Sequence, residues 1–550
     1  MPSRIDLVWL GNHLPAWELG AAHAVEASVP DLHQHLQRLT AAADTAGHLL
    51  LWDARLGMPD PEKIRRLTAL PGHLWHAGLK LGMSGQPGII DFFAPTWMLN
   101  RDPDPQIEAT SWRLSLHACL IRADVLRQMG GIDPGFATLE GAALEMGHRY
   151  ITRGVLMRHI PWMTDATLPP EPLPFEDEVR FLRCRAGKFW RRWALARAVM
   201  SRYVSPARAV RAWSAARRMP CPPPPSPYHD PAAQQGPVPD DASVSVLIPT
   251  IDRYPYLRTL LDQLRAQTVR PHEIIVVDQT EPARRDTTLL AAFPDLPLKL
   301  ITLERAGQCS SRNAGLRAAT GTHVLFLDDD DEITPDLIEK HLISLAQWGN
   351  EVSCGTAHVP GDGPLPENFT FRRISDVFPT NNMLLQKAVL HQSGLFDLAY
   401  ERMQRADGDL GMRVYLSGAL MVYDPEISVL HHHAPRGGLR THKARVITYA
   451  SSRRSLMQRH LPSISEVYLG LRYFTPRQVR ESLWMRAAGT FAVRGGMGRR
   501  LLKGAIMLAL LPDTVLRIRH AHREARRMLV RYPQIAQLDA LPESPDRVIV

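Results

Sequence analysis

Val324-Leu325-Phe326-Leu327-Asp328-Asp329-Asp330-Asp331 is the stretch on which the fold turns. Four apolar residues run directly into four carboxylates. A short unbroken apolar run reads as a strand buried on both faces, which places the acids at its C-terminal end. Open α/β sheets bind their ligands at that end. Adjacent carboxylates repel one another unless positive charge joins them. A hard divalent cation, Mg²⁺ or Mn²⁺, does so with oxygen ligands and a substrate phosphate. The alternative is an acidic loop or helix cap ahead of Pro335.

Upstream, Ser245-Val246-Leu247-Ile248-Pro249-Thr250 is another buried strand, followed by Asp252-Arg253. Tyr256 to Gln267 has helical character, and Glu273-Ile274-Ile275-Val276-Val277-Asp278 is a third buried strand ending in an acid. Strand, helix, strand opens a doubly wound, Rossmann-like α/β fold. No Gly-x-Gly-x-x-Gly follows, which argues against a dinucleotide site. Thr250-Ile251-Asp252-Arg253 is not the Gly-rich, Lys-containing loop expected of a nucleotidyltransferase. Ser311-Arg312-Asn313-Ala314-Gly315 leads into the acidic strand. Downstream lie Asn381-Asn382-Met383, Gly394-Leu395-Phe396-Asp397 and Ala406-Asp407-Gly408-Asp409-Leu410-Gly411-Met412-Arg413.

This series resembles the inverting family 2 glycosyltransferases, whose fold is of the GT-A type. The motif order and approximate spacings are kept from Ser243 to about Arg440. The resemblance implies sugar transfer from a nucleotide-diphosphate sugar, a UDP-sugar above all, in bacterial surface glycan or glycoconjugate synthesis. The acceptor would be a hydroxyl of a glycan, a lipid-linked glycan or a protein. Donor contacts are implied for Pro249, Thr250, Asp252, Arg253, Asp278, Arg312, Asp328 and Asp329. Ligation of Mg²⁺ or Mn²⁺ is implied for Asp328, Asp330, Asp331 and His433, and the role of general base for Asp407. Two departures stand out. The family's Asp-Asp-Gly-Ser turn is Asp278-Gln279-Thr280 here, and its Glu-Asp pair is Ala406-Asp407.

The chemistry matches these residue types. A cation between acids and phosphates stabilises a diphosphate leaving group, and a positioned carboxylate accepts the acceptor's proton. Asp407 has the alternative role of helix N-cap, since Asp407-Gly408-Asp409 precedes a helical stretch. Arg312 has that of a surface helix arginine. In His431-His432-His433, strand alternation lets only one or two rings face inward. Gly437-Gly438 beyond them would suit a loop closing over the donor. The competing function is a non-catalytic glycan-binding or scaffold protein in which both halves have decayed. Intact Asp328, Asp330, Asp331 and Asp407 argue against it.

The chain also repeats itself. Leu120-Ile121-x-x-x-Val125-Leu126-x-Gln128-x-Gly130-x-x-Asp133 matches Leu384-Leu385-x-x-x-Val389-Leu390-x-Gln392-x-Gly394-x-x-Asp397 at an offset of 264 (384 − 120), which holds through Gly154 and Gly418. Arg202-Tyr203-Val204-Ser205-Pro206 resembles Arg472-Tyr473-Phe474-Thr475-Pro476, each reading as a capped helix start. Leu49-Leu50-Leu51-Trp52-Asp53 resembles the strand into Asp328. Two tandem GT-A-like domains are therefore expected, each followed by basic helices. The first half has lost its chemistry: Ala54, Arg55 and Leu56 stand at the places of Asp329, Asp330 and Asp331, and Ala143 at that of Asp407. The first half is also short, so the Val-Val-Asp strand is expected to have no counterpart there. A competing reading has Glu140 or Glu145 catalyse with Arg55 in place of a metal.

The expected division is a degenerate glycosyltransferase-like domain at 1–165, a basic helical extension at 166–218 and a Pro-rich spacer at 219–241. The catalytic domain follows at 242–440 and a basic helical region at 441–550. Five scattered cysteines without metal-site spacing argue for a reducing compartment and against disulfides. With no signal pattern or membrane-length apolar run, a cytoplasmic protein is expected. Arg180 to Arg218 holds twelve basic residues and no acid. Arg436 to Arg527 holds twenty against four acids. With Trp190, Trp193, Trp213 and Trp484, these regions suit the anionic inner face of a membrane, or else pack as ordinary helices. Nucleic acid is disfavoured, since no recognised module for it is present.

Overall fold

The computed structural model describes residues 4–41, 47–169, 171–231, 236–239, 241–434, 452–539 and 548–549. The Gly437-Gly438 loop lies outside them.

Two sheets organise the chain. The first comprises β1 (Ile5–Leu10), β2 (Ala22–Val25), β3 (His48–Asp53), β4 (Leu74–His76), β5 (Ala109–Thr110), β6 (Ala118–Arg122) and β7 (Met157–His159). Its order is β2-β1-β3-β6-β4-β7-β5. The second comprises β8 (Val244–Thr250), β9 (Glu273–Asp278), β10 (Leu298–Thr302), β11 (His323–Phe326), β12 (Asp331–Ile333), β13 (Val352–His358), β14 (Arg373–Ile374), β15 (Met383–Gln386), β16 (Met421–His431) and β17 (Val548–Ile549). Its order is β12-β16-β13-β15-β11-β8-β9-β10-β17, with β14 also on β16.

The two sheets share one plan. Parallel β2-β1-β3 corresponds to parallel β9-β8-β11. An antiparallel step then leads to β6 or β15, a second to β4 or β13, and a parallel step to β7 or β16. Short antiparallel β5 or β14 lies on that last strand. Even the register repeats. Leu74 lies opposite Ile121 and Met157, as Val352 lies opposite Leu385 and Met421. Leu50 pairs with Leu120 as Leu325 pairs with Leu384, so Asp53, the last residue of β3, and Asp328, two residues past β11, are equivalent positions. The Rossmann-like α/β class expected from the apolar runs is the class observed. One expectation is corrected: β2 is a counterpart of the Val-Val-Asp strand. It is four residues long and only partly buried, so no apolar run announced it.

Local packing is duplicated as well. Gly130 and Gly394 both take positive φ, at 74° and 71°. Arg149 pairs with Glu145 and donates to the carbonyl of Gly130; Arg413 pairs with Asp409 and donates to that of Ser393. Asp133 holds Arg180 at 2.6 Å, and Asp397 holds Arg472 at 2.8 Å. By contact the counterpart of Arg472 is therefore Arg180, not Arg202. The Arg202–Pro206 likeness is one of helix caps, with Ser205 accepting from Arg208 N and Thr475 from Gln478 N.

Two further expectations change. Cys184 and Cys221 form a disulfide, their Cα atoms 5.4 Å apart. They are 37 residues apart, and helices Lys188–Met200 and Pro206–Arg218 fold the chain back between them, which spacing alone does not reveal. The Pro-rich segment is not a free spacer, since Tyr228 donates to Asp124 at 2.6 Å and Asp230 pairs with Arg122 at 2.6 Å. Within Arg180–Arg218, Arg180 and Arg197 are buried on Asp133 and Glu481 and Arg185 is half-buried on Glu145, while Lys188, Arg192, Arg202, Arg208, Arg211, Arg217 and Arg218 are exposed.

The halves meet reciprocally. A Cβ on Gly154 would come within 2.6 Å of the Arg372 carbonyl, and one on Gly418 within 2.3 Å of the Glu108 carbonyl. Both pairs are related by the same 264-residue offset, the pattern of a self-complementary two-fold contact. Each glycine also has φ near +95° (95° and 93°). Gly154→Ala and Gly418→Ala should each lower the unfolding free energy by about 1–3 kcal/mol. Gly361→Ala, at φ 84° with open space around it, should cost less. Thermal denaturation of the three variants checks this.

Candidate glycosyltransferase site

The parallel strands deliver their acids to one edge. Thr250 lies opposite Asp278 where β8 and β9 end, and β11 stops at Phe326. Pro249 is tolerated in β8 because β11 has already turned away, leaving no ladder partner on the side its missing N–H would face. The chain turns through Asp328–Asp330 and enters β12, which pairs Asp331 with His431 at the end of β16.

Each carboxylate of the turn has a distinct environment. Asp328 accepts from Arg312 Nη2 at 3.0 Å. Asp329 is buried, accepts from Thr250 Oγ1 at 2.8 Å and pairs with Arg253 Nη1 at 2.9 Å. Burial pushes its carboxyl up to about 6 despite that arginine. Asp330 accepts from the Ala434 N–H through Oδ2 at 2.7 Å. Its Oδ1 is buried without a hydrogen bond, although Arg253 Nη1 lies 3.1 Å away. Asp331 accepts from the Asp328 N–H and lies 2.8 Å from His431 Nδ1. Burial, with Asp328 beside it, pushes Asp331 up to about 7. Burial would lower His431, but Asp331, Asp328 and Asp330 raise it.

Asp328, Asp330 and His431 converge, with one ligand atom from each within 4.8 Å of the others. A cation bonded at about 2.1 Å to each would need to draw them in only slightly. An orphaned buried Oδ1 is what such an ion would satisfy. The sequence reading put His433 and Asp331 in this set. The structure places His433 against the His431 ring, at 4.4 Å between centroids, and Asp331 behind His431 as its hydrogen-bond partner. His432 faces away, 2.6 Å from Glu332. Alternation along β16 foretold that not all three rings face inward but did not choose among them.

The other expected residues surround the same edge. Asp278 accepts from Tyr254 OH at 2.7 Å and from the Thr280 N–H at 2.8 Å. Asp252, at φ 58°, pairs with Arg284 at 2.8 Å. Arg312 sits on helix Gln308–Ala318, whose N-terminal N–H groups at Cys309 and Ser310 are capped by Glu401. A Cβ at Gly307 would displace the Glu401 carboxylate from this cap. Glu401 thus ties the Arg312 helix to the chain leading into helix Ala406–Leu416. Asp407 is in the first turn of that helix, exposed. Arg405 occupies the N-cap, so Asp407 is not the cap.

Residues 245–403 match the family model described as Glycosyl transferase family 2. The second domain is a family 2 glycosyltransferase domain. The uncharacterized glycosyltransferase YwdF of Bacillus subtilis is 39% identical over 98 residues, covering 18% of this chain and 36% of YwdF. The O-antigen biosynthesis protein RfbC of Myxococcus xanthus is 27% identical over 230 residues, 36% of this chain and 18% of RfbC. The chain spans about a third or less of the length of these curated relatives. The mannosyltransferase PcManGT of Pyrobaculum calidifontis, solved with GDP-Man and Mn²⁺, aligns with 62% of this chain and 98% of its own at a TM-score of 0.35 and 17% identity.

Where the glycosyltransferase domain gathers acids, the first domain has neutralised its own. Asp53 is held by Arg55 at 2.9 Å and by His117 at 2.8 Å. His117 also reaches Glu140 at 2.9 Å. Two carboxylate acceptors require protons on both ring nitrogens. Burial alone would lower His117, but its hydrogen bonds to Asp53 and Glu140 raise it to about 9. Glu171 approaches Arg55 at 3.6 Å, and the space left among Arg55, His117, Glu140 and Pro169 is about 10 Å³. That is room for about one water. Sequence reasoning missed His117, because a lone histidine at the mouth of a strand carries no motif.

A folded pKa raised from 6.5 to about 9 contributes stability fully present below pH 6.5 and lost as pH rises through 9. The shift corresponds to on the order of 3 kcal/mol. Wild-type melting temperature should therefore fall between pH 7 and pH 9.5, and His117→Gln should remove most of that dependence while destabilising the protein at neutral pH. Melting curves across this range decide it.

Proposed function

We propose that the second domain transfers a sugar, with inversion, from a nucleotide-diphosphate sugar to an acceptor hydroxyl. The convergence of Asp328, Asp330 and His431 beside two arginines carries this reading. These three residues would hold Mg²⁺ or Mn²⁺. With Nδ1 committed to Asp331, His431 has Nε2 left for a cation. A bound cation would supply Lewis-acid stabilisation of negative charge on the diphosphate.

The residues themselves divide the remaining work. Arg312 and Arg253 now pair with Asp328, Asp329 and Asp330. Both can turn toward phosphate oxygens once those carboxylates are otherwise neutralised. Asp278, fixed by Tyr254 and Thr280, would accept from the nucleotide base, with UDP the expected nucleotide. Thr250 and Asp329 brace the turn. Asp407 would take the proton of the acceptor hydroxyl as its oxygen bonds to the anomeric carbon. The bond from that carbon to the diphosphate oxygen breaks, and its electron pair leaves with the diphosphate. An exposed carboxylate with no hydrogen bond or ion pair among the described residues is free for that task. The name of RfbC supports a surface glycan as the setting. The first domain would be a scaffold, since its matching acid is locked by Arg55 and His117.

Asp407→Asn should lower kcat by roughly 10²–10⁴-fold while leaving cation-dependent donor binding intact. Asp330→Asn should abolish both binding and turnover. A panel of nucleotide sugars with Mn²⁺, read by donor hydrolysis and thermal stabilisation, tests the split. Equal loss of donor binding in Asp407→Asn would remove Asp407 from the role of base.

A further inference from the structure

Helix Met497–Ala509 is built inside out. Its inward face carries Lys503, buried, with Nζ donating to the carbonyls of Ser455 and Gln458 at 2.9 and 2.6 Å, and Met507. Its outward face carries Met497, Leu501 and Leu508, which are 69%, 67% and 62% exposed, with Leu502 half exposed beside them. At 3.6 residues per turn these side chains, with Ala505 and Ala509, fill one continuous arc, and Arg499 and Arg500 stand at its two edges. A helix that merely packs on a domain has the opposite arrangement.

At the start of helix Leu511–Arg531, Leu511, Val515 and Leu516 are exposed as well. Val515 also borders a groove of about 660 Å³ between this helix and helix Pro476–Gly489, floored by Phe474, Leu483 and Trp484 and rimmed by Arg480, Arg519 and Arg526. The stretch from Met497 to Arg531 holds nine Lys or Arg against Asp513 and Glu524. No helix among the described residues is long and apolar enough to cross a membrane.

We propose that helix Met497–Ala509 and the start of helix Leu511–Arg531 form an in-plane docking face for an anionic lipid bilayer. The leucine and methionine side chains would enter the headgroup–acyl boundary, while Arg499, Arg500 and the groove rim pair with lipid phosphates. The thirteen-residue helix Met497–Ala509, about 20 Å long, lies along such a surface rather than through it. Charge complementarity selects this occupant, because an apolar arc edged by arginines matches anionic headgroups over an acyl layer. Of the two basic regions expected at a membrane, it assigns the contact to the C-terminal helices.

Co-sedimentation of the full chain with vesicles tests this. At low salt the protein should bind equimolar phosphatidylglycerol–phosphatidylcholine vesicles at least about tenfold better than phosphatidylcholine alone, and high salt should release it. Leu501→Gln with Leu508→Gln should weaken binding about tenfold without changing melting temperature or donor hydrolysis. Arg499→Gln with Arg500→Gln should reduce the preference for anionic vesicles. The proposal is overturned if the wild type shows no anionic preference, or if the leucine pair binds vesicles as the wild type does. It is equally overturned if the leucine pair changes the lipid-free sedimentation coefficient or melting temperature, since another copy or the chain itself would then cover the face.

Discussion

Mutual repulsion among Asp328, Asp329, Asp330 and Asp331 is the constraint around which the second domain is arranged. Four carboxylates in sequence at the end of a buried strand cannot stay ionised together without compensation. The fold brings compensation from three directions: Arg253 after β8, Arg312 from the helix before β11, and His431 from the end of β16. β12 exists to make the third contact, turning the acidic run back against β16 so that Asp331 and His431 face each other. Even so, the balance is incomplete. Asp330 Oδ1 remains buried without a hydrogen bond, and burial raises Asp329 and Asp331. A site with residual negative charge and oxygen ligands at one edge is suited to a divalent cation and phosphate.

The equivalent edge of the first sheet carries no such run of acids. At the position equivalent to Asp328 it has a single carboxylate, Asp53, paired with Arg55 and His117. Glu140, which with Glu145 was the competing candidate for catalysis there, is the third member of that closed network. Glu145 is buried on Arg149 and Arg185. What both domains keep is architecture: the strand order, the positive-φ glycines, the arginine that clasps the helix to the preceding loop, and an Asp–Arg pair to the helix beyond. The reciprocal contact of Gly154 and Gly418 shows that the two halves use equivalent surfaces on each other. Selection for that pairing is compatible with chemistry in one copy alone.

Much of this was legible in the sequence, and the reasons differ by element. The buried strands β8, β9 and β11 were visible because both of their faces are covered, so their apolar runs are unbroken. The duplication was visible where glycine, arginine and aspartate do geometric work that no other residue does as well. β2 was not visible because it is short and partly exposed. Of the three histidines, the one facing the acids could not be chosen, since the choice depends on how β12 and β16 align across 100 residues of chain. The disulfide was hidden for the same reason. Composition counts charges but does not say that Arg180 and Arg197 point inward while Arg192, Arg211 and Arg217 stay exposed.

The central claim is that one of two architecturally equivalent edges holds a cation. Counting bound Mn²⁺ per chain by electron paramagnetic resonance, in the presence of a nucleoside diphosphate, tests it most directly. The account predicts a single site, lost when His431 is replaced by alanine and unaffected when His117 is. Two sites per chain, or one that survives the loss of His431, would contradict it.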